Sequence, residues 1–426
     1  MGDINLVSQN RHVRRIAILN KKSLASHTYD KWISDADSDV EVMLFTEENT
    51  ESRAFLPLIQ NKYAHTALYD SWKIGRLPDI DIAEIHKEHP FDRVVALSEC
   101  DVVRASELRD SLGITGMNTV VARAFRDKVL MKQLAANAGL AVPAFASVTT
   151  ASDLLDFAEA NPGPIVIKPT DGAGSVGVSV FQDKSELLSW IRTQRQVKDE
   201  PMRYMIETYV DAPMVSVDGI MTSGKIITAM TSSYQGTCLD ALMSQQPVAV
   251  LQLDSTSGTG KRALDYASRL IAAFPTPVEP TSFHLELFDV QSGPLLCEIA
   301  ARTGGGKIDD LATHVLGLNL EQWSCLGQAG LSPQIVAPAC SRSSDFFGAI
   351  LLPKRGGVLT SAPTECPLDG VIDYRLHYNV GERIMPNKKS SDAVADLVFK
   401  SSDVSSLHAL YENILEWHAK EFQWSL

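Results

Sequence analysis

The sequence predicts an α/β protein in which a parallel α/β layer is followed by two further units. Apolar segments typical of buried strands occur at residues 15–19, 40–45 and 93–97, and helix-compatible stretches such as residues 102–112 lie between and after them. Strands that alternate with helices favour a parallel sheet. The chain has 426 residues, which exceeds what one core usually holds and indicates two or three domains.

Two interruptions of this pattern mark the expected domain boundaries. Gly113 and Gly116 end the first layer, and a stretch rich in proline and serine at residues 333–344 precedes strand-like segments and a C-terminal helix near residues 405–417. We therefore predict domains at residues 1–118, 119–332 and 333–426, with a lid subdomain at about residues 140–212. In the second domain, residues 120–138 are predicted as one long helix and residues 232–248 as a polar, mobile loop.

Composition and charge limit the class of function. The net charge of −13 argues against a nucleic-acid surface, because phosphate backbones require a basic excess. The six cysteines show no metal-like spacing, a pattern typical of reduced thiols. No window reaches the roughly 20 apolar residues of a membrane span, and the first residues do not match a signal peptide. We expect a cytoplasmic protein that binds neither membranes nor nucleic acids.

A glycine-rich loop follows the apolar segment at residues 165–167. That segment ends in Lys168, and the loop after it contains three glycines, Gly172, Gly174 and Gly177, together with Ser175 and Val176. Glycine allows a backbone to fold its N–H groups around a phosphate, and a lysine at the end of a buried strand meets either solvent or an anion. The loop alone is equally typical of a hairpin turn. Together with Lys168 it indicates a nucleotide-phosphate site.

Two glutamates occur in alternating segments that predict a hairpin. Glu286 and Glu298 lie on either side of Gly293-Pro294, which we expect to form the turn, and Arg302 follows four residues after Glu298. Two carboxylates on adjacent strands repel each other unless a cation lies between them. Mg²⁺ prefers one or two carboxylates together with substrate phosphates, and an arginine stabilises charge on a transferring phosphoryl group. The alternative is a solvent-facing edge hairpin.

A third segment, at residues 205–210, carries an acidic residue at the end of a predicted strand. Glu207 is in position to accept a hydrogen bond from the exocyclic amine of adenine, and the backbone near Tyr209 and Val210 to bind the rest of the ring edge. Glutamates at strand ends are common on protein surfaces, so this segment gains weight only from its neighbours.

In chain order, these residues resemble the ATP-grasp superfamily over roughly residues 95–330. In this resemblance, Lys128 in Arg126-Asp127-Lys128 corresponds to an early phosphate-binding lysine and Lys168 to a second one. Glu207 and the residues after it correspond to the adenine hinge, and Glu286 and Glu298 to the ligands of Mg²⁺, for which Mn²⁺ can substitute. The resemblance implies a three-part architecture: an N-terminal α/β layer, a central ATP-grasp domain with a small glycine-loop subdomain, and a C-terminal α+β part.

Within that superfamily, the run from Glu298 to Gly306 resembles the L-amino-acid ligases, which condense two amino acids into a dipeptide. The resemblance implies ATP-dependent formation of an amide through an acyl phosphate, with small-molecule substrates and release of ADP and phosphate. It also implies substrate contacts from the glycine run, Gly304, Gly305 and Gly306. Homodimers are common among similar enzymes.

Two positions depart from the usual pattern of this superfamily, and the role of a third position is open. Ala300 stands where many relatives have a metal-binding asparagine, and Met214 where a ribose-binding glutamate is often found, so Asp218 is a candidate for the ribose. His284 is expected on the same strand face as Glu286. It would contact the amino acid, act as the base that deprotonates the amine, or else be a packed core histidine.

The alternative functions are a different ATP-grasp ligase of purine or carboxylase type, a kinase that stops at the acyl phosphate, and a non-catalytic ATP-binding module.

Overall fold

The computed structural model describes residues 13–72, 75–194, 203–236, 239, 244–256, 258–331, 345–389 and 392–425. Internal packing divides the chain into two compact units. One comprises Met1–Thr119 and Cys325–Pro333, and the other comprises Val120–Ser324 and Gln334–Leu426. The predicted boundary at residue 332 falls outside the described residues, so the division into three domains stays a prediction. None of the described helices is long and apolar enough to cross a membrane.

The first unit contains a parallel sheet with helices following its strands. Its described elements are β1 (Arg14–Asn20), α1 (Tyr29–Ala36), β2 (Val40–Glu47), α2 (Thr50–Ile59), β3 (His65–Tyr69), α3 (Leu77–Glu88), β4 (Arg93–Ala96) and α4 (Val102–Leu112), with the strand order β3-β2-β1-β4. Strand β1 is buried on both faces, since Ile16 and Ile18 pack into one core and Ala17 and Leu19 into another. Such burial explains an uninterrupted apolar segment and confirms the predicted parallel layer.

The second unit begins with a small antiparallel sheet and the helices around it. The described elements are α5 (Thr119–Ala124), α6 (Lys128–Asn137), β5 (Phe145–Val148), α7 (Ala151–Ala160), β6 (Ile165–Pro169), β7 (Ser179–Phe181), α8 (Lys184–Gln194) and β8 (Tyr204–Thr208), with the strand order β5-β8-β6-β7. The single helix predicted at residues 120–138 is two helices. Asp127 accepts hydrogen bonds from the backbone N–H groups of Val129 and Leu130, which begins a new helix at Lys128.

The rest of the second unit is organised around a large antiparallel sheet. Its described strands are β9 (Met214–Thr222), β10 (Lys225–Gln235), β11 (Val248–Gln252), β12 (Thr281–Val290), β13 (Gly293–Ala300), β14 (Phe346–Leu352), β16 (Val371–Leu376) and β18 (Ala395–Ser401). The described helices in this part of the chain are α9 (Gly258–Ala273), α10 (Ile308–Leu316), α11 (Leu320–Gln328) and α12 (Val404–Glu421). The strand order β13-β12-β9-β10-β11-β14-β18-β16 shows that the C-terminal strands extend the sheet that carries the glutamates.

A short sheet completes the C-terminal part. Its described strands are β15 (Gly357–Ser361), β17 (Arg383–Ile384) and β19 (Gln423–Ser425), in the order β17-β15-β19. The loop predicted at residues 232–248 begins later than expected, because β10 continues to Gln235. Residues 237–238 and 240–243 of that loop lie outside the described residues.

Candidate active site

The two predicted glutamates face each other on a hairpin. Strands β12 and β13 pair antiparallel with Glu286 opposite Glu298. The turn lies at residues 291–292, whereas Gly293 and Pro294, expected to form it, already pair with β12. The register shifts beside the glutamates, which makes Cys297 the extra residue of a β-bulge. Because a bulge redirects side chains, Cys297 and its neighbour Glu298 line the same cleft.

That cleft collects the predicted nucleotide contacts together with both glutamates. The predicted residues among its lining are Lys128, Lys168, Gly172, Gly174, Ser175, Val176, Glu207, Tyr209, Val210, Glu286 and Glu298. The lining also includes Ala173 and Thr208, which belong to the predicted loop and hinge, and Met214, which was named at the ribose position. The remaining lining residues were not predicted as site residues: Val166, Pro169, Val178, Leu239, Phe288 and Cys297. Apolar walls with a few charged groups are typical of a small-molecule pocket.

The cleft is narrow in this conformation. It encloses about 110 Å³, whereas pockets for small molecules usually enclose about 300–1,000 Å³. The glycine-rich loop forms one wall of the cleft. Its backbone has positive φ at three residues, with 62° at Gly174, 60° at Ser175 and 77° at Gly177. Lys128 Nζ donates to the carbonyl oxygen of Gly172 at 2.9 Å, and Arg126 donates to the carbonyl oxygen of Asp171. These two contacts hold the loop against the cleft in this conformation.

Glu207 is the centre of a buried ion-pair network. Its Oε1 lies 2.5 Å from Lys168 Nζ and its Oε2 lies 2.8 Å from Lys132 Nζ. Burial opposes ionisation of Glu207, but the two ammonium groups hold its pKa below the usual range. The sequence predicted Glu207 as the reader of adenine. In the structure its carboxylate is instead the counter-ion of two lysines. The backbone of the following residues therefore remains as the candidate contact for an adenine ring.

Lys132 had no recognisable signal in the sequence, because a lysine within a helix is usually solvated. Here its side chain is fully buried, and its Nζ also donates to the carbonyl oxygen of Leu296 at 2.7 Å. Lys132 therefore connects α6, β8 and β13. Burial lowers the pKa of Lys168, but Cys297 and Glu207 raise it above its ordinary value, so Lys168 is a cation at neutral pH.

Glu298 forms an ion pair with one of the lysines of the cleft. Its Oε2 lies 3.1 Å from Lys128 Nζ. Burial raises its pKa, but the charges of Lys128, Lys168 and Arg302 together lower it to about 2. Arg302 does not belong to the lining of the cleft, and its Nη1 donates to the carbonyl oxygen of Thr303 at 2.9 Å. Its charge nevertheless acts on Glu298, as expected of a phosphate-side arginine.

His284 lies beside Glu286, as the strand alternation predicted. Its Nδ1 lies 2.6 Å from Asp218 Oδ1, and its Nε2 lies 3.3 Å from Glu286 Oε1. Burial lowers the pKa of His284, but the two carboxylates raise it to about 10. At neutral pH the ring is therefore an imidazolium that donates on both sides. An imidazolium has no lone pair with which to accept a proton from an amine.

Among the remaining predicted positions, Gly304, Gly306 and Asp218 do not line the cleft, whereas Met214 does. Gly304 packs against His284 and Asp218, and Gly306 borders a separate cavity of about 360 Å³. Asp218, a candidate for ribose, is fully buried and bonded to His284 and Ser216, so it is not available to a sugar. Met214, at the position where relatives often have a ribose-binding glutamate, lines the cleft as an apolar wall.

The donor set fits a divalent cation that is shared with phosphates. Among the described residues, no group of three or more histidine, cysteine, aspartate or glutamate side chains forms a cage for a metal. Two opposed carboxylates in one cleft with Lys128 and Lys168 are instead what a Mg²⁺-type ion uses when phosphate oxygens complete its coordination. The lysines also stabilise phosphate, so ion and nucleotide are expected to bind together.

Sequence comparison finds relatives over most of the chain. The chain is 22% identical over 407 residues to an L-arginine-specific L-amino acid ligase of Bacillus subtilis, covering 91% of this chain and 97% of that protein. It is 28% identical over 309 residues to dapdiamide A synthase of Enterobacter agglomerans, covering 68% of this chain and 70% of that protein. No protein-family model matches the chain.

Comparison of structures agrees with the architecture described above. An L-amino acid ligase from Bacillus licheniformis superposes with a TM-score of 0.72 at 16% identity, covering 97% of this chain and 99% of that chain. At this identity the likeness establishes the fold, and the sequence relatives connect that fold with ligation.

Proposed function

Because the chain is a carboxylate–amine ligase of the ATP-grasp fold, we propose that it joins two amino acids into a dipeptide while ATP is converted to ADP and phosphate. The observation that carries this proposal is the opposed pair Glu286–Glu298, which shares one cleft with Lys128 and Lys168 beneath the glycine-rich loop. Two carboxylates, two ammonium groups and a flexible glycine backbone are the groups that a magnesium nucleotide requires.

The proposed reaction has two steps. In the first, a carboxylate oxygen of one amino acid attacks the γ-phosphorus of ATP, the bond to the bridging oxygen of ADP breaks, and an acyl phosphate forms. In the second, the amine nitrogen of the other amino acid attacks the acyl carbon, phosphate leaves, and the nitrogen loses a proton. The activation is necessary because a free carboxylate is a poor electrophile.

The side chains in and beside the cleft suit the first step. Lys128, Lys168 and Arg302 offset the negative charge of the transferring phosphoryl group. The glycine-rich loop covers the phosphates and keeps water from the acyl phosphate. Lys168 is held by Glu207 in this conformation, so phosphate competes with that carboxylate for the ammonium group.

Glu286 and Glu298 are the residues that would hold the divalent cation. We propose that the ion is Mg²⁺, with Mn²⁺ as a substitute, because both prefer oxygen ligands. When bound, the cation neutralises charge on the phosphates.

Isotope transfer provides the test of the proposed function. Amino acids labelled with ¹⁸O in the carboxylate are supplied pairwise with ATP and Mg²⁺, and phosphate and products are analysed by mass spectrometry. The expected result is a dipeptide and phosphate that carries one ¹⁸O atom for each dipeptide formed. Formation of ADP and an acyl phosphate without any dipeptide indicates a kinase. Binding of ATP without turnover over the whole amino-acid matrix indicates a binding module, and either outcome refutes the proposal.

Assembly and location are further parts of the proposal. We propose a homodimer, since similar enzymes commonly form one, and light scattering of the purified protein measures it. We propose a cytoplasmic location because the cysteines among the described residues form no disulfide, as expected in a reducing compartment.

A further inference from the structure

A buried pair of side chains, Asp218 and His284, lies beside Glu286, one of the two glutamates to which we assign the metal. Strands β9 and β12 pair so that Asp218 stands opposite His284, and Ser216 opposite Glu286. Asp218 is fully buried and His284 is 4% exposed. Ser216 Oγ donates to Asp218 Oδ2 at 2.8 Å, while Asp218 Oδ1 accepts from His284 Nδ1 at 2.6 Å. Both oxygens of Asp218 therefore have partners, and the contact with Asp218 fixes the orientation of the His284 ring.

The pair acts on Glu286 through one oxygen. Glu286 Oε1 accepts from Tyr234 Oη at 2.9 Å and lies 3.3 Å from His284 Nε2. Tyr234 belongs to β10 and His284 to β12, so side chains from two different strands meet the same oxygen. Two side chains packed at one oxygen restrict rotation of the Glu286 carboxylate, and we expect its other oxygen, Oε2, to face the cation.

A glycine of the segment after Arg302 packs over the same pair. A Cβ atom on Gly304 would lie 2.8 Å from His284 Nδ1 and 3.1 Å from Asp218 Oδ1. Only a residue without a side chain lets the backbone approach this closely. The contact connects the Asp218–His284 pair to the loop that begins at Arg302, so one buried pair orders both the metal ligand and the arginine segment.

We propose that Asp218 and His284 are positioning residues that hold the Glu286 carboxylate in the orientation required for the divalent cation. His284 contacts Glu286 through Nε2, and Asp218 fixes the direction of its ring through Nδ1. This inference rests on the proposed function of Glu286 as a metal ligand. Hydrogen-bonded partners of metal ligands typically change metal affinity by about 10- to 100-fold when they are removed.

The test measures binding of Mn²⁺ in the presence of ADP, by electron paramagnetic resonance of free Mn²⁺, in wild-type protein and in Asp218→Asn. Asparagine keeps the volume and an acceptor oxygen but removes the charge that fixes the ring. The expected result is a dissociation constant for Mn²⁺ raised about 10- to 100-fold. The apparent KM for Mg²⁺ in the ligase reaction should rise with it, and the affinity for ADP without metal should stay within about twofold.

A matched control and a second variant make the result interpretable. Asp289→Asn is the same substitution on the neighbouring strand β12, but Asp289 pairs with Arg262 and Thr259 outside the cleft, so the Mn²⁺ affinity of this variant should equal that of the wild type. Tyr234→Phe removes the donor to Glu286 Oε1 from the other strand and should also weaken Mn²⁺ binding. If Asp218→Asn does not fold, His284→Gln serves as the test, because it removes the ring that contacts Glu286 Oε1.

The outcomes separate this inference from the proposed function. If wild-type protein with ADP binds no Mn²⁺, the metal site itself is refuted. If the wild type binds Mn²⁺ and a folded Asp218→Asn binds it equally well, Asp218 is only a structural residue and the inference is overturned. A raised dissociation constant in Asp218→Asn together with an unchanged one in Asp289→Asn supports it.

Discussion

Removal of Lys132 is expected to destabilise the second unit severely, because it leaves a buried carboxylate with half of its counter-charge. Lys132 is fully buried, Glu207 is 2% exposed, and the two are 2.8 Å apart, so solvent screens this pair very little. Breaking a buried ion pair from one side costs about 3–5 kcal/mol. In Lys132→Met the carbonyl oxygen of Leu296 also loses its donor, a loss of about 1–3 kcal/mol when the group stays buried. Lys168 still faces Glu207, so we expect a net loss near the lower end, about 3–4 kcal/mol.

The double variant Lys132→Met/Glu207→Gln provides the internal control. Glu207→Gln removes the partner of Lys168 both alone and in the double variant, so that effect cancels in the cycle. The loss of stability in the double variant should therefore be smaller than the sum of the two single losses, because the pair Lys132–Glu207 can be broken only once. The assay is urea unfolding followed by tryptophan fluorescence, with the free energies of unfolding compared in a double-mutant cycle. A loss below about 1 kcal/mol in Lys132→Met, or strictly additive effects in the cycle, would refute the ion-pair argument.

Three further predictions follow from the same structure. Glu286→Gln and Glu298→Gln should each lower ATP turnover at least about 100-fold while the far-ultraviolet circular dichroism stays unchanged, and a near-wild-type rate in either variant contradicts the metal assignment. Burial and the charge of Glu321 raise the pKa of Asp309 from 3.8 to about 6, so its protonated form stabilises the fold at low pH and this contribution, on the order of 3 kcal/mol, is lost as the pH rises through 6. Asp309→Asn should therefore flatten the dependence of the urea midpoint on pH between 4 and 7, and an unchanged slope contradicts the shift. Gly304→Ala should lower the free energy of unfolding by about 1–3 kcal/mol through its clash with buried polar atoms, whereas Gly305→Ala, whose Cβ meets nothing within 4 Å, should unfold like the wild type.

The parts of the site that could be predicted are those with a local signal. Alternation of apolar residues around Glu286 and Glu298 predicted the hairpin, and the glycines after Lys168 predicted the loop, because strand periodicity and glycine backbone freedom act over a few residues. The parallel layer was predicted for the same reason. The prediction of a single helix at residues 120–138 was wrong, because Asp127 caps a second helix that begins at Lys128. Helix propensity alone does not show where one helix ends and the next begins.

The parts that were missed depend on partners distant in sequence. The sequence assigned Glu207 to adenine, but its partner Lys132 becomes visible only when α6 and β8 meet across a buried interior. Asp218 was assigned to ribose, and only the register of β9 against β12 places it against His284, 66 residues away. A shift of one residue in that register would turn the side chain to the opposite face of the sheet.

By itself, the sequence determined which chemical groups this protein has and in what order: two lysines, a glycine loop, two glutamates on a hairpin and an arginine. Those groups were recognisable because residue type and local periodicity decide them. Only the tertiary structure decided how the charges pair. It makes Glu207 a counter-ion, buries Asp218 behind His284 and holds Glu286 by one oxygen, since electrostatic partners depend on long-range register and burial.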